Sequence, residues 1–244
     1  EFDPMGNFVR EIGKNLNAWS YAHAVRIDPQ DNIWVVDKGS NMILRFTPEG
    51  HVDWVFGRKG EASHIQVPPD YETVMARRFA RMGVDVDIPE ENNARWPIPV
   101  HRDNVFNQPT DVAWDSQGNS YFSDGYINSR VGKVNARGEW VASWGSLGDG
   151  PGEFDTPHGI AVSPADEIYV ADRGNRRIQV FEPDGTYIRE FIVDVPVDTS
   201  RGKIVYGSEN PNGTTGSLAP GAPDALCMTP GPNPVLFIGD LYPS

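Results

Sequence analysis

The chain has 244 residues, 39% of them hydrophobic, with 34 acidic against 21 basic side chains and a formal charge of −13. That length and apolar content suffice for a buried core, while the acidic balance argues against a nucleic-acid partner, which needs a basic footprint. A cationic ligand or a small polar molecule suits the overall charge better. The single cysteine, Cys227, excludes an internal disulfide, and no stretch approaches the length of a membrane-spanning helix.

Taken in order, residues 1–13 read as the closing half of a structural unit, because their pattern recurs in Val180-Phe-Glu-Pro-Asp-Gly-Thr-Tyr-Ile-Arg-Glu-Phe191. Three full copies of that unit follow, over 18–57, 107–145 and 156–191. They open on His23-Ala-Val-Arg-Ile-Asp, Thr110-Asp-Val-Ala-Trp-Asp and His158-Gly-Ile-Ala-Val-Ser, and each second run ends in an aspartate: Asp37, Asp124 or Asp172. A further short apolar run, a tight turn and a last run closing on Phe56-Gly57, Trp144-Gly145 or Phe191 complete each unit. Four short strands, repeated, predict an all-β propeller with four-stranded blades.

An insertion over 58–106 separates the first two units, and within it Asp70 is a candidate N-cap for a helix over about Tyr71 to Met82. A loop insertion over 192–221 follows the third unit, and 222–244 supplies an opening half blade. The two half blades leave two arrangements open: a small ring closed by their pairing, or part of a larger ring in a chain cut at both ends.

Successive antiparallel strands put the start of each inner strand on the same rim as the loop after the second strand. His23, Thr110, His158 and Asp224 hold equivalent first positions of inner strands, so their side chains face the mouth of the channel. Two imidazoles and a carboxylate around an axis suit a divalent metal, although the spacing is no metal motif in itself. The loop after Asp124 has one added residue: Asp124 to Val134 spans ten positions, Asp37 to Phe46 and Asp172 to Phe181 nine. The added residue displaces Tyr126 from the repeat and aims its hydroxyl at the channel. Arg173 follows Asp172 on the same rim. Asp37, Asp124 and Asp172 recur in every unit and read as acceptors of loop hydrogen bonds.

Thr156-Pro-His-Gly-Ile-Ala-Val…Ile168-Tyr-Val-Ala-Asp-Arg-Gly-Asn-Arg-Arg-Ile-Gln-Val-Phe181 resembles an NHL repeat. Together with Phe106-Asn-Gln-Pro-Thr-Asp-Val-Ala, Ser123-Asp-Gly-Tyr-Ile-Asn-Ser-Arg130 and the two histidines, it resembles peptidyl-α-hydroxyglycine α-amidating lyases, which are six-bladed propellers. The resemblance implies cleavage of an α-hydroxy amide C–N bond to an amide and glyoxylate. It implies Zn²⁺ on His23 and His158, catalytic roles for Tyr126 and Arg173, and a structural Ca²⁺ taking the backbone carbonyl of Val25. Asp224 does not match the family's third zinc histidine and stands as a substitute metal ligand. The resemblance further implies a small-molecule or peptide substrate and favours a periplasmic or secreted location. Two other readings stay open: a non-catalytic NHL interaction module, and a calcium-dependent lactonase-like hydrolase using Asp111, Asp224 and Asn residues.

Overall fold

The computed structural model describes residues 1–62, 64–66, 98–193 and 221–240, and all of its regular elements are strands. The helix expected over Tyr71 to Met82 and most of the 192–221 insertion lie outside the described residues. The first antiparallel sheet comprises β1 (Ala22–Ile27), β2 (Ile33–Asp37), β3 (Met42–Phe46) and β4 (Val52–Phe56). A short ribbon pairs β5 (His64–Gln66) with β6 (Ile98–Val100). The second sheet holds β7 (Asp111–Trp114), β8 (Ser120–Asp124), β9 (Arg130–Val134) and β10 (Trp140–Trp144). The third holds β11 (Pro157–Val162), β12 (Ile168–Asp172), β13 (Arg177–Phe181) and β14 (Tyr187–Ile192), and β15 (Pro223–Met228) pairs with β16 (Leu236–Asp240).

The inner strands β1, β7, β11 and β15 pack in succession, so the sheets are blades of a β-propeller arranged around a common channel. Strand alternation explains why the blades stack. In β2, Trp34 and Val36 face the second blade, where they join Phe56, Phe106, Val112 and Phe122 in one core. Val35 points the other way and packs with Leu44, Phe46 and Trp19. Between the second and third blades, Tyr121, Val131 and Phe154 meet Ile160, Val170 and Phe181. At Gly159 a Cβ would lie 2.8 Å from the Asp224 carbonyl oxygen, so glycine lets β11 approach β15 closely.

The repeated aspartates tie each blade's rim. Asp37 accepts the backbone N–H groups of Ser20, Tyr21 and Ser40. Asp124 accepts from Asn107 N and Arg130 Nε, and Asp172 from Asp155 N and Arg177 Nε. Arg130 and Arg177 are fully buried. These pairs restrict the loops after the second strands to one geometry, from which the channel-facing residues project.

Candidate active site

Each histidine is oriented by the next blade. His23 Nδ1 lies 2.9 Å from the Thr110 carbonyl oxygen, and His158 Nδ1 lies 2.8 Å from that of Asp224. Thr110 and Asp224 hold the same repeat position as the histidines, so one contact recurs around the channel. A carbonyl only accepts, so Nδ1 carries the proton in both rings and Nε2 presents a lone pair. Burial pushes the His158 imidazole down to about 3, helped by the positive charge of Arg173. Burial likewise holds His23 below the ordinary histidine value. Both rings are therefore neutral near pH 7, the form that binds metals.

The two Nε2 atoms converge on a single hydroxyl. Tyr126 Oη is 3.3 Å from His23 Nε2 and 3.2 Å from His158 Nε2, and the imidazole centroids are 4.8 Å apart. One hydroxyl proton serves only one of the two nitrogen lone pairs. The unserved lone pair beside a second nitrogen and a phenol oxygen is a donor set that suits a divalent cation, so these residues fit two of the positions that zinc requires. Among the described residues, no group of three or more His, Cys, Asp or Glu side chains could hold a metal.

Tyr126 reaches this point because its loop is longer than its counterparts. Asp124 pairs with Arg130 across the β8–β9 turn, whereas Asp37 pairs with Met42 and Asp172 with Arg177. Gly125 occupies the place of Lys38 and Arg173 in the other blades, and a Cβ there would lie 1.7 Å from the Pro157 carbonyl oxygen. Only glycine allows this approach.

Arg173 lies beside this point, its guanidinium carbon 5.2 Å from the Tyr126 ring centroid. Its Nη1 donates to Asp224 Oδ1 at 3.1 Å, while its buried Nε has no hydrogen-bond partner. The same Asp224 oxygen lies 3.0 Å from His158 Nδ1. Asp224 thus stands on the far side of the imidazole from Nε2, where it orients His158 and Arg173 instead of joining the two Nε2 atoms as a third ligand. Val25 lies in β1 opposite Val35, with its side chain exposed.

Two features escaped the sequence reading. Arg26 donates through Nε to Asp111 Oδ1 at 2.8 Å and through Nη2 to the Leu226 carbonyl at 3.2 Å, tying three inner strands together below the histidines. Asp111 also accepts from Val112 N and Ile160 N, which commits the carboxylate that the lactonase-like reading would use. The second feature is Lys38, whose Nζ sits 3.8 Å from the Tyr126 ring centroid. The repeat itself carried this signal, because Lys38 and Arg173 each follow the blade aspartate.

The NHL repeat family model matches residues 154–181. Rat peptidylglycine α-amidating monooxygenase is 31% identical over 193 residues, a match covering 77% of this chain and 16% of the rat protein. A probable peptidyl-α-hydroxyglycine α-amidating lyase of Caenorhabditis elegans is 38% identical over 176 residues, 71% of this chain and 39% of the relative. Human NHL repeat-containing protein 3 is 36% identical over 185 residues, 71% of this chain and 44% of the relative. The chain thus spans less than half the length of each of these relatives. The chain is a β-propeller that carries an NHL repeat over residues 154–181 and resembles the peptidyl-α-hydroxyglycine α-amidating lyases.

Proposed function

We propose that the protein is a metal-dependent lyase of the peptidyl-α-hydroxyglycine amidating type, cleaving an α-hydroxy amide C–N bond to an amide and glyoxylate. The observation that carries this reading is the convergence of two neutral imidazole Nε2 atoms on the Tyr126 hydroxyl, with Arg173 alongside. The names of the relatives support the same reaction class.

In this reading His23 and His158 hold Zn²⁺ through Nε2, and the metal when bound supplies a Lewis acid for the substrate oxygen. Tyr126, after giving up its own phenol proton, would act as phenolate base and take the α-hydroxyl proton. The C–O bond becomes C=O, the C–N pair leaves with nitrogen, and nitrogen regains a proton, so neither water nor an oxidant is consumed. Arg173 steadies the developing negative charge through its spare Nε–H. Asp224 holds both Arg173 and His158 in place. A structural Ca²⁺ on the Val25 backbone carbonyl belongs to the same reading and would supply no step of the reaction.

The test is glyoxylate release from an N-acyl-α-hydroxyglycine by the full chain, with zinc content measured on the same preparation. Zinc uptake with glyoxylate formation is the expected result. Zinc uptake without any turnover would shift the reading to a non-catalytic NHL binding module.

A further inference from the structure

Among the described residues, two cations, Arg173 and Lys38, stand at the mouth of the channel in a chain whose formal charge is −13. Arg173 is matched by one carboxylate, Asp224. Lys38 makes no ion pair among the described residues; its ammonium instead lies 4.9 Å from the Tyr21 ring centroid and 3.8 Å from that of Tyr126. The local sum of these three charged groups is therefore one uncompensated positive charge. It lies against Tyr126, whose ring centroid is 3.8 Å from the Lys38 ammonium and 5.2 Å from the Arg173 guanidinium carbon.

The backbone beneath Lys38 is fixed. Its N–H donates to the Tyr21 carbonyl at 2.9 Å, Ser40 N donates to Asp37 Oδ1 at 2.8 Å, and a Cβ on Gly39 would collide with Tyr21. Lys38 and Arg173 hold one repeat position in two blades, and the blade between them carries Tyr126. The Tyr126 ring thus lies against two cations built from a single element of the repeat. Cation–π contact alone supplies only about 0.5–1 kcal/mol at exposed sites, so the ammonium stays available for a stronger, anionic partner.

We propose that Lys38 is a specificity-determining residue that binds the carboxylate of the ligand beside the Tyr126–His23–His158 centre. The assignment rests on the lyase reading for the identity of that carboxylate, which is the one carried by the α-hydroxyglycine unit and released in glyoxylate. Arg173, whose buried Nε has no hydrogen-bond partner, is the second cation beside the Tyr126 ring.

Binding of N-benzoylglycine and of its methyl ester to the full chain, measured by isothermal titration calorimetry, separates charge recognition from catalysis. The wild type is expected to bind the acid more tightly than the ester. Lys38→Met should weaken the acid by about 10- to 100-fold, the loss expected for a hydrogen bond to a charged group, and leave the ester unchanged. Lys38→Arg should keep most of the preference. Equal losses for acid and ester, or a wild type with no preference for the acid, would overturn the role of Lys38. A Lys38-dependent preference in a protein that releases no glyoxylate from an N-acyl-α-hydroxyglycine would support the carboxylate site and remove the lyase reading instead.

Discussion

His23 and His158 hold the same repeat position in two blades separated by a third, and their imidazole centroids meet at 4.8 Å over the channel mouth. The intervening blade contributes Tyr126 between them and Thr110, whose carbonyl fixes His23. The donor pair is therefore a product of the propeller's geometry and not of any local sequence motif.

Removing either ring leaves one nitrogen donor. His23→Ala and His158→Ala should each weaken zinc binding by more than about 100-fold, beyond the 10- to 100-fold typical of losing an outer partner. Competition with a chelator on the full chain reads this directly. Two variants that retain wild-type zinc affinity would remove the pair from metal binding.

Tyr126→Phe deletes only the hydroxyl at the point where the two Nε2 atoms converge. Turnover of an N-acyl-α-hydroxyglycine should fall by about 10² to 10⁴, as for a lost general base, with zinc content unchanged. A variant as active as the wild type would take Tyr126 out of the chemistry.

Asp224 acts on the metal through His158. Asp224→Ala should lower zinc affinity by about tenfold, the low end for an outer partner, because the Asp224 backbone carbonyl still accepts the His158 Nδ1 proton. The same change leaves Arg173 without its carboxylate, so KM should rise or fall with the charge of the substrate. Zinc loss as severe as in His158→Ala would instead mark Asp224 as a direct ligand.

The blades and the rim were legible in sequence because period-two strands and a repeated aspartate leave regular marks. Tyr126 was legible from one added residue, which the register change to Asp124↔Arg130 bears out. Contacts that cross the channel were not legible. Asp224 faces Nδ1 instead of Nε2 because its carboxylate is shared by Arg173 and His158, and that competition depends on distances between blades that no spacing encodes. The overall charge is acidic, whereas among the described residues the mouth sets Lys38 and Arg173 against one carboxylate, Asp224. Net charge describes the whole surface and says nothing of one rim.

Asp37 allows the rim ties to be tested through pH. Burial alone would raise its carboxyl, but the N–H groups of Ser20, Tyr21 and Ser40 outweigh that effect and hold it below the usual aspartate value. With the folded value depressed, the ionised carboxylate stabilises the native state fully above the unfolded value of about 4. That contribution is lost as pH falls through the folded value. Asp37→Asn replaces one acceptor oxygen with a donor facing these N–H groups, so it should cost about 1–3 kcal/mol at pH 7. The gap between variant and wild type should then narrow below pH ~4, as the wild-type carboxylate takes up its proton. Urea denaturation of both proteins from pH 7 to pH 3 measures the gap. A difference that stays constant across this range would show that Asp37 holds the first blade's loop by shape alone, without its charge.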